Sequence, residues 1–147
     1  MAFSGGLERV VGQTRVLLVD DEDEVRNLWI TAFIEQGCVV ESACCGGEAI
    51  DKAKTFIPDV IVTDLMMPGT DGIEFVARLR RERAIADVPI VLVTALTQGL
   101  PSTHEAALAR RFRLAAVIPK PLAPSALVER VMTVVAAARQ PSNPGGP

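Results

Sequence analysis

The sequence predicts an α/β protein with an open, doubly wound parallel sheet of (βα)5 architecture. Three observations carry this. Short β-branched runs recur at residues 16–19, 38–43, 60–63, 90–94 and 116–118. Helix-period patterns fill the intervals, and strands that alternate with helices pair in parallel through covering crossovers. The runs are nearly continuous in apolar character, so both faces of the sheet are buried. Five strands in about 125 residues are too few for an eight-stranded barrel.

The helices follow in order. Val25, Leu28, Trp29, Ala32 and Phe33 recur at i, i+3, i+4, i+7 and i+8, one apolar helical face, and Gly37 supplies a stop signal. Ala49, Ile50, Ala53 and Ile57 form a second face, closed by Pro58. Ile73, Val76 and Leu79, with Phe75 beside them, form a third. Its end holds Arg78, Arg80, Arg81 and Arg83, which suits a helix C-terminus. Residues 102–113 predict a fourth helix with Ser102 or Thr103 as N-cap. Leu127, Val128, Val131, Val134 and Val135 mark the fifth.

Length and composition narrow the function classes. The 147 residues suit one domain, read as residues 14–138, with a flexible N-terminal segment at 1–13 and a flexible tail at 139–147. A formal charge of −3 argues against a general nucleic-acid binder. No apolar run approaches membrane-spanning length, and the start lacks a signal-peptide pattern. Cys38, Cys44 and Cys45 lack metal or disulfide-framework spacing, so they read as buried or half-buried free thiols, which fits a cytoplasmic location.

Polar chemistry gathers after the strands. Asp20 and Asp21 follow the first, Asp64 the third, Thr94 ends the fourth, and Lys120 follows the fifth. Open α/β sheets bind ligands at this C-terminal edge, where the strand order reverses. A strand order 2-1-3-4-5 makes these five residues converge and leaves the second strand remote. Three gathered carboxylates suit a hard dication such as Mg²⁺, with room for a phosphate oxygen. Asp64 is then a candidate carboxylate nucleophile, with Lys120 and Thr94 facing a tetrahedral anion. In LLVDDEDEVR, residues 17–26, Asp20 and Asp21 form the metal pair. Glu22, Asp23 and Glu24 read as the first turn of a helix.

VLLVDDE, VIVTDLMMPGTDG, PIVLVTA and VIPKP, in this order, make the chain resemble the receiver domain of response regulators over roughly residues 14–138. The resemblance implies a flavodoxin-like sheet and phosphoryl transfer in a two-component phosphorelay. Asp64 becomes the phosphoacceptor for a sensor histidine kinase or histidine phosphotransfer protein. Mg²⁺ is held by Asp21 directly, Asp20 mainly through water, Asp64, and the Met66 carbonyl. Thr94 and the backbone N–H of Ala95 bond the phosphoryl group. Lys120 pairs with it ahead of a Lys120–Pro121 bond that the family usually has in cis. Modification shifts a pre-existing conformational equilibrium and signals by protein contact, with no enzymatic turnover beyond the domain's own phosphorylation and dephosphorylation. A downstream partner fits the face of the fourth helix, fifth strand and fifth helix, where Arg110, Arg111 and Arg113 lie.

Two departures stand out. Val117 occupies the position three residues before the lysine, where the family usually has Tyr or Phe. The Thr94–Lys120 interval is about four residues longer than usual, which predicts an extended or irregular segment around LTQGLPSTHE. Met66 and Leu96 are apolar positions flanking the phosphoryl group, so slow self-dephosphorylation is expected. His104, the one histidine, reads as an ordinary loop or cap residue.

Other classes fit less well. An aspartyl-nucleophile phosphatase needs an Asp-x-Asp motif on its first strand, and Met66 stands two residues after Asp64. A flavodoxin-like cofactor binder needs a Ser/Thr/Gly phosphate loop where this chain has DDEDE. A non-phosphorylated pseudo-receiver scaffold fits poorly with the intact acidic, Thr and Lys set. A receiver belonging to a longer regulator or hybrid kinase remains compatible with the pattern.

Overall fold

The β-branched runs become strands where the periodicity places them: β1 (Arg15–Val19), β2 (Val39–Ala43), β3 (Val60–Thr63), β6 (Ile90–Thr94) and β7 (Ala116–Pro119). The computed structural model describes residues 13–64, 66–67, 70–95, 102–120 and 122–139. Residues 1–12 and 140–147 of the predicted flexible ends, the segment at 96–101 with Leu96, and Pro121 with its bond to Lys120 lie outside the described residues, while Arg139, predicted to open the flexible tail, is helical. A two-stranded ribbon, β4 (Met66–Met67) with β5 (Thr70–Asp71), interrupts the βα rhythm. The helices are α1 (Asp23–Glu35), α2 (Gly46–Phe56), α3 (Gly72–Arg81), α4 (Ser102–Phe112) and α5 (Pro124–Arg139).

The sheet order is β2-β1-β3-β6-β7, all parallel. Without the small ribbon this is the expected 2-1-3-4-5. Strand alternation divides the core into two layers. Val16 and Leu18 face α1 and α5, packing with Trp29, Phe33, Leu127 and Val131. Leu17 and Val19 face the opposite side, with Ile50, Phe75, Leu79 and Val117. β1, β3 and β6 are almost wholly buried, which is why they carry so few polar residues, whereas β2 at the sheet edge is half-buried.

Several local expectations are corrected. Leu28 lies on the predicted apolar face of α1 yet is 60% exposed. The buried stripe is narrower and centred on Trp29 and Phe33. Ile57 does not continue the buried face of α2. It is the helix C-cap, in left-handed conformation (φ 48°, ψ 73°) and 44% exposed. Ser102 and Thr103 belong to α4 itself rather than preceding it as a cap. His104 also falls within α4. Cys38 is buried and Cys45 half-buried, but Cys44 is exposed, because it sits at the turn from β2 into α2.

One half-buried cation ties three connections together. The Arg80 guanidinium donates to the Ala86 carbonyl (2.9 Å), the Val88 carbonyl (2.8 Å) and the Arg113 carbonyl (2.6 Å). It thereby joins the end of α3, the 3-10 turn Arg83–Ile85 with its exit, and the turn after α4. Arg110, Arg111 and Arg113 are all exposed at that end of α4.

Candidate functional site

Register alone brings two carboxylates together. Val19 of β1 is level with Thr63 of β3, so the next residues, Asp20 and Asp64, stand side by side at the C-terminal edge. Adjacent strands are about 4.8 Å apart, so the two side chains share one space. Val62 and Leu18 face the α1–α5 layer. Two residues on, Asp64 and Asp20 return to that face by alternation. Asp20 is fully buried and Asp64 nearly so.

Lys120 comes from the opposite side of the switch point. Thr94 is paired with Pro119, and the Lys120 N–H donates to the Thr94 carbonyl (2.9 Å). This backbone bond fixes where the lysine leaves β7. Its ammonium then reaches Asp64 Oδ2 at 2.7 Å and Asp20 Oδ2 at 3.4 Å. Burial disfavours its charged form. The hydrogen bond to Asp64 and the charge of Asp20 outweigh that, and the lysine pKa is raised. A cation held between two buried carboxylates offsets their mutual repulsion, which for unit charges about 4 Å apart is roughly 4 kcal/mol at an effective dielectric of about 20.

The other predicted residues are placed as follows. Thr94 is buried at the end of β6. Ala95 follows it and is exposed. Asp21 is half-buried beside Asp20. Met66 opens the β4–β5 ribbon, paired with Asp71. Among the described residues, no three Asp, Glu, His or Cys side chains stand as a metal-holding group. In this arrangement the Lys120 ammonium, rather than a third carboxylate, completes the Asp20–Asp64 pair.

Three contacts went unread in the sequence. The Glu22 N–H donates to Asp20 Oδ1 (2.9 Å), an Asx-type closure at the start of α1. Arg26 donates to the Asp20 carbonyl (2.6 Å) while pairing with Asp23. The Trp29 ring lies under Lys120, with Nζ 5.6 Å from the ring centroid. Only the Arg26–Asp23 spacing, i and i+3, signals its partner in the sequence. Glu22, Val25, Leu28, Trp29, Lys120, Leu122 and Pro124 line a cavity of about 230 Å³ next to this site.

Comparison with known proteins agrees with the geometry. The sequence model of the response regulator receiver domain matches residues 16–132. The transcriptional regulatory protein ResD of Bacillus subtilis is 35% identical over 132 residues, covering 88% of this chain and 51% of that protein. The response regulator SaeR of Staphylococcus aureus is 32% identical over 118 residues, covering 80% of this chain and 49% of that protein. The chain thus spans about half the length of these curated relatives. Among solved structures, the chemotaxis response regulator CheY4 of Vibrio cholerae aligns with a TM-score of 0.73 at 29% identity, over 83% of this chain and 98% of that one. The receiver domain of Francisella response regulator 1452 aligns with a TM-score of 0.75 at 27% identity, over 86% of this chain and 100% of that one. No helix among the described residues is long and apolar enough to cross a membrane. Sheet order, matched span and these relatives together place the chain in the response regulator receiver domain family of two-component signalling.

Proposed function

We propose that Asp64 accepts a phosphoryl group from the phosphohistidine of a sensor histidine kinase or histidine phosphotransfer protein. The observation that carries this is the ion pair between Lys120 and Asp64 at 2.7 Å, with Asp20 at 3.4 Å, at the sheet's switch point. An Asp64 carboxylate oxygen attacks phosphorus, the P–N bond to the donor histidine breaks, and the electron pair stays with the imidazole. Lys120 transfers its hydrogen bond from the carboxylate to a phosphoryl oxygen. The Thr94 hydroxyl and the Ala95 N–H bond the remaining oxygens.

The donors suit Mg²⁺, being hard oxygens. When bound, the ion neutralises charge shared between the carboxylates and the incoming phosphoryl group. Asp20 already spends Oδ1 on the Glu22 N–H and Oδ2 on Lys120. That favours Asp21 for direct ligation and leaves Asp20 to act through water, with Asp64 and the Met66 carbonyl completing the set.

The modified aspartate adds about −1.5 to −2 charges at this edge and biases the domain between two conformations. Signalling then proceeds by protein contact, in the cytoplasm, without turnover of a separate substrate. The exposed arginines at the end of α4 offer one surface for a downstream partner. Residues 14–138 form the receiver unit, whether alone or within a longer regulator.

The test is Mg²⁺-dependent phosphorylation by acetyl phosphate, comparing wild type with Asp64→Asn by mass. Wild type is expected to gain about 80 Da, the mass of one phosphoryl group, and Asp64→Asn to gain nothing. An unmodified wild type, or an equally modified Asp64→Asn protein, rejects the assignment.

A further inference from the structure

Lys120 meets three groups. Two are carboxylates, and the third is the face of Trp29, 5.6 Å from the ammonium to the ring centroid. That lies within cation–π range. The ring is 4% exposed and is held on α1 one turn before Phe33, in the layer that packs against β1 and α5. Its position is therefore set by the core, not by the lysine.

A lysine side chain is long and flexible, with many rotamers. The two carboxylates draw it towards the sheet edge, and nothing about their charge stops it from collapsing onto Asp20. An indole face attracts the ammonium without carrying a net charge. It therefore counters that collapse without competing for the phosphoryl group, and its attraction does not change sign when Asp64 is modified.

The position has a second consequence. Val117, where the resembled family carries its aromatic residue, lies in the other layer, among Ile90, Leu92 and Leu114. The aromatic ring that touches the Lys120 ammonium is on α1.

We propose that Trp29 is a positioning residue for phosphoryl transfer, holding the Lys120 ammonium at the junction of Asp20 and Asp64 through its ring face. The inference rests on the phosphoacceptor reading of Asp64. It predicts that the indole senses the state of the site, because any move of Lys120 towards a phosphoryl group changes the charge above the ring. Trp29 is the one tryptophan of the chain, and there is no tyrosine, so intrinsic emission reports the surroundings of this one ring.

Two measurements test it. Rates of labelling by acetyl phosphate with Mg²⁺ are followed by mass for wild type, Trp29→Phe and Trp29→Leu. Trp29→Phe keeps a ring face and is expected to stay close to wild type. Trp29→Leu keeps apolar bulk without one and is expected to slow roughly 3- to 30-fold. Separately, Trp29 emission is recorded in the unsubstituted protein and in Lys120→Met as beryllium fluoride is added with Mg²⁺. A change is expected in the former and none in the latter. This second measurement needs no substitution at the core position. Failure of wild type to label rejects the phosphoacceptor reading itself. With wild type labelled, equal rates for Phe and Leu, or emission that responds identically without Lys120, overturn the role of Trp29 and leave that reading standing.

Discussion

Lys120 Nζ lies 2.7 Å from Asp64 Oδ2 although fifty-six residues separate them in the chain. The contact exists because β3 and β7 end at one edge, on either side of β6. On the proposed reading, phosphorylation of Asp64 would redirect this attraction rather than destroy it, because the lysine would exchange one anionic oxygen for another.

Lys120→Met therefore removes a charge-assisted hydrogen bond to the proposed phosphoacceptor. Such a bond is worth about 1.5–3 kcal/mol, so labelling by acetyl phosphate is expected to slow by about 10- to 150-fold. Timed mass measurements at saturating Mg²⁺ check it. A rate within twofold of wild type contradicts the assigned role.

Arg80 holds three carbonyls from three connections. Burial lowers its pKa, with the nearby charge of Arg113 acting in the same direction. Arg80→Met leaves those carbonyls without their donor and is expected to cost about 2–3 kcal/mol. Urea unfolding reads this as a lower midpoint at unchanged slope.

Ile57 caps α2 at φ 48°, a conformation that costs an L-residue with a Cβ roughly 1–2 kcal/mol. Asn tolerates it better, and Ile57 is largely outside the core. Ile57→Asn is expected to raise stability by about 0.5–1 kcal/mol after the small loss of apolar burial. A lower urea midpoint would contradict the strained-cap reading.

Lys52 bridges Glu41 and Glu48, each at 3.2 Å. The hydrogen bond from Lys52 holds the Glu48 carboxyl below its ordinary value, against burial. Burial lowers the Lys52 pKa, but its hydrogen bonds to Glu41 and Glu48 raise it further, for a net upward shift. Glu48 thus adds stability above its unfolded pKa of about 4.3, lost as pH falls through the lower folded value. Lys52 adds stability below about 10.4, lost as pH rises through the higher folded value. Lys52→Met is expected to lower the free energy of unfolding at pH 7, read from urea titration, by no more than about 1 kcal/mol, since all three groups are substantially exposed. The difference from wild type should shrink towards pH 3.

The strands, the parallel order and the edge that carries Asp20, Asp64, Thr94 and Lys120 were legible because each rests on a local pattern. Apolar runs mark strands, and one polar residue ends each of the four that matter. What escaped depends on tertiary context. Leu28 has the right spacing to be buried, but α1 meets the sheet along a narrower line. Ile57 looks like a fourth core residue of α2, but the helix ends there and it stands as a left-handed cap. The β4–β5 ribbon is two residues per strand, below any periodicity. The Trp29–Lys120 contact joins positions 91 apart, which neither spacing nor composition can connect.

The pairing of Val19 with Thr63 carries a further consequence for quality control. A slip of one residue between β1 and β3 would turn Asp20 to the opposite face and drive Val19 towards the polar edge. The alignment that seals the interior is the same alignment that aims the carboxylates. A misthreaded chain would therefore not persist as a well-packed decoy with a silent receiver; it would fail as a fold and as a signal together.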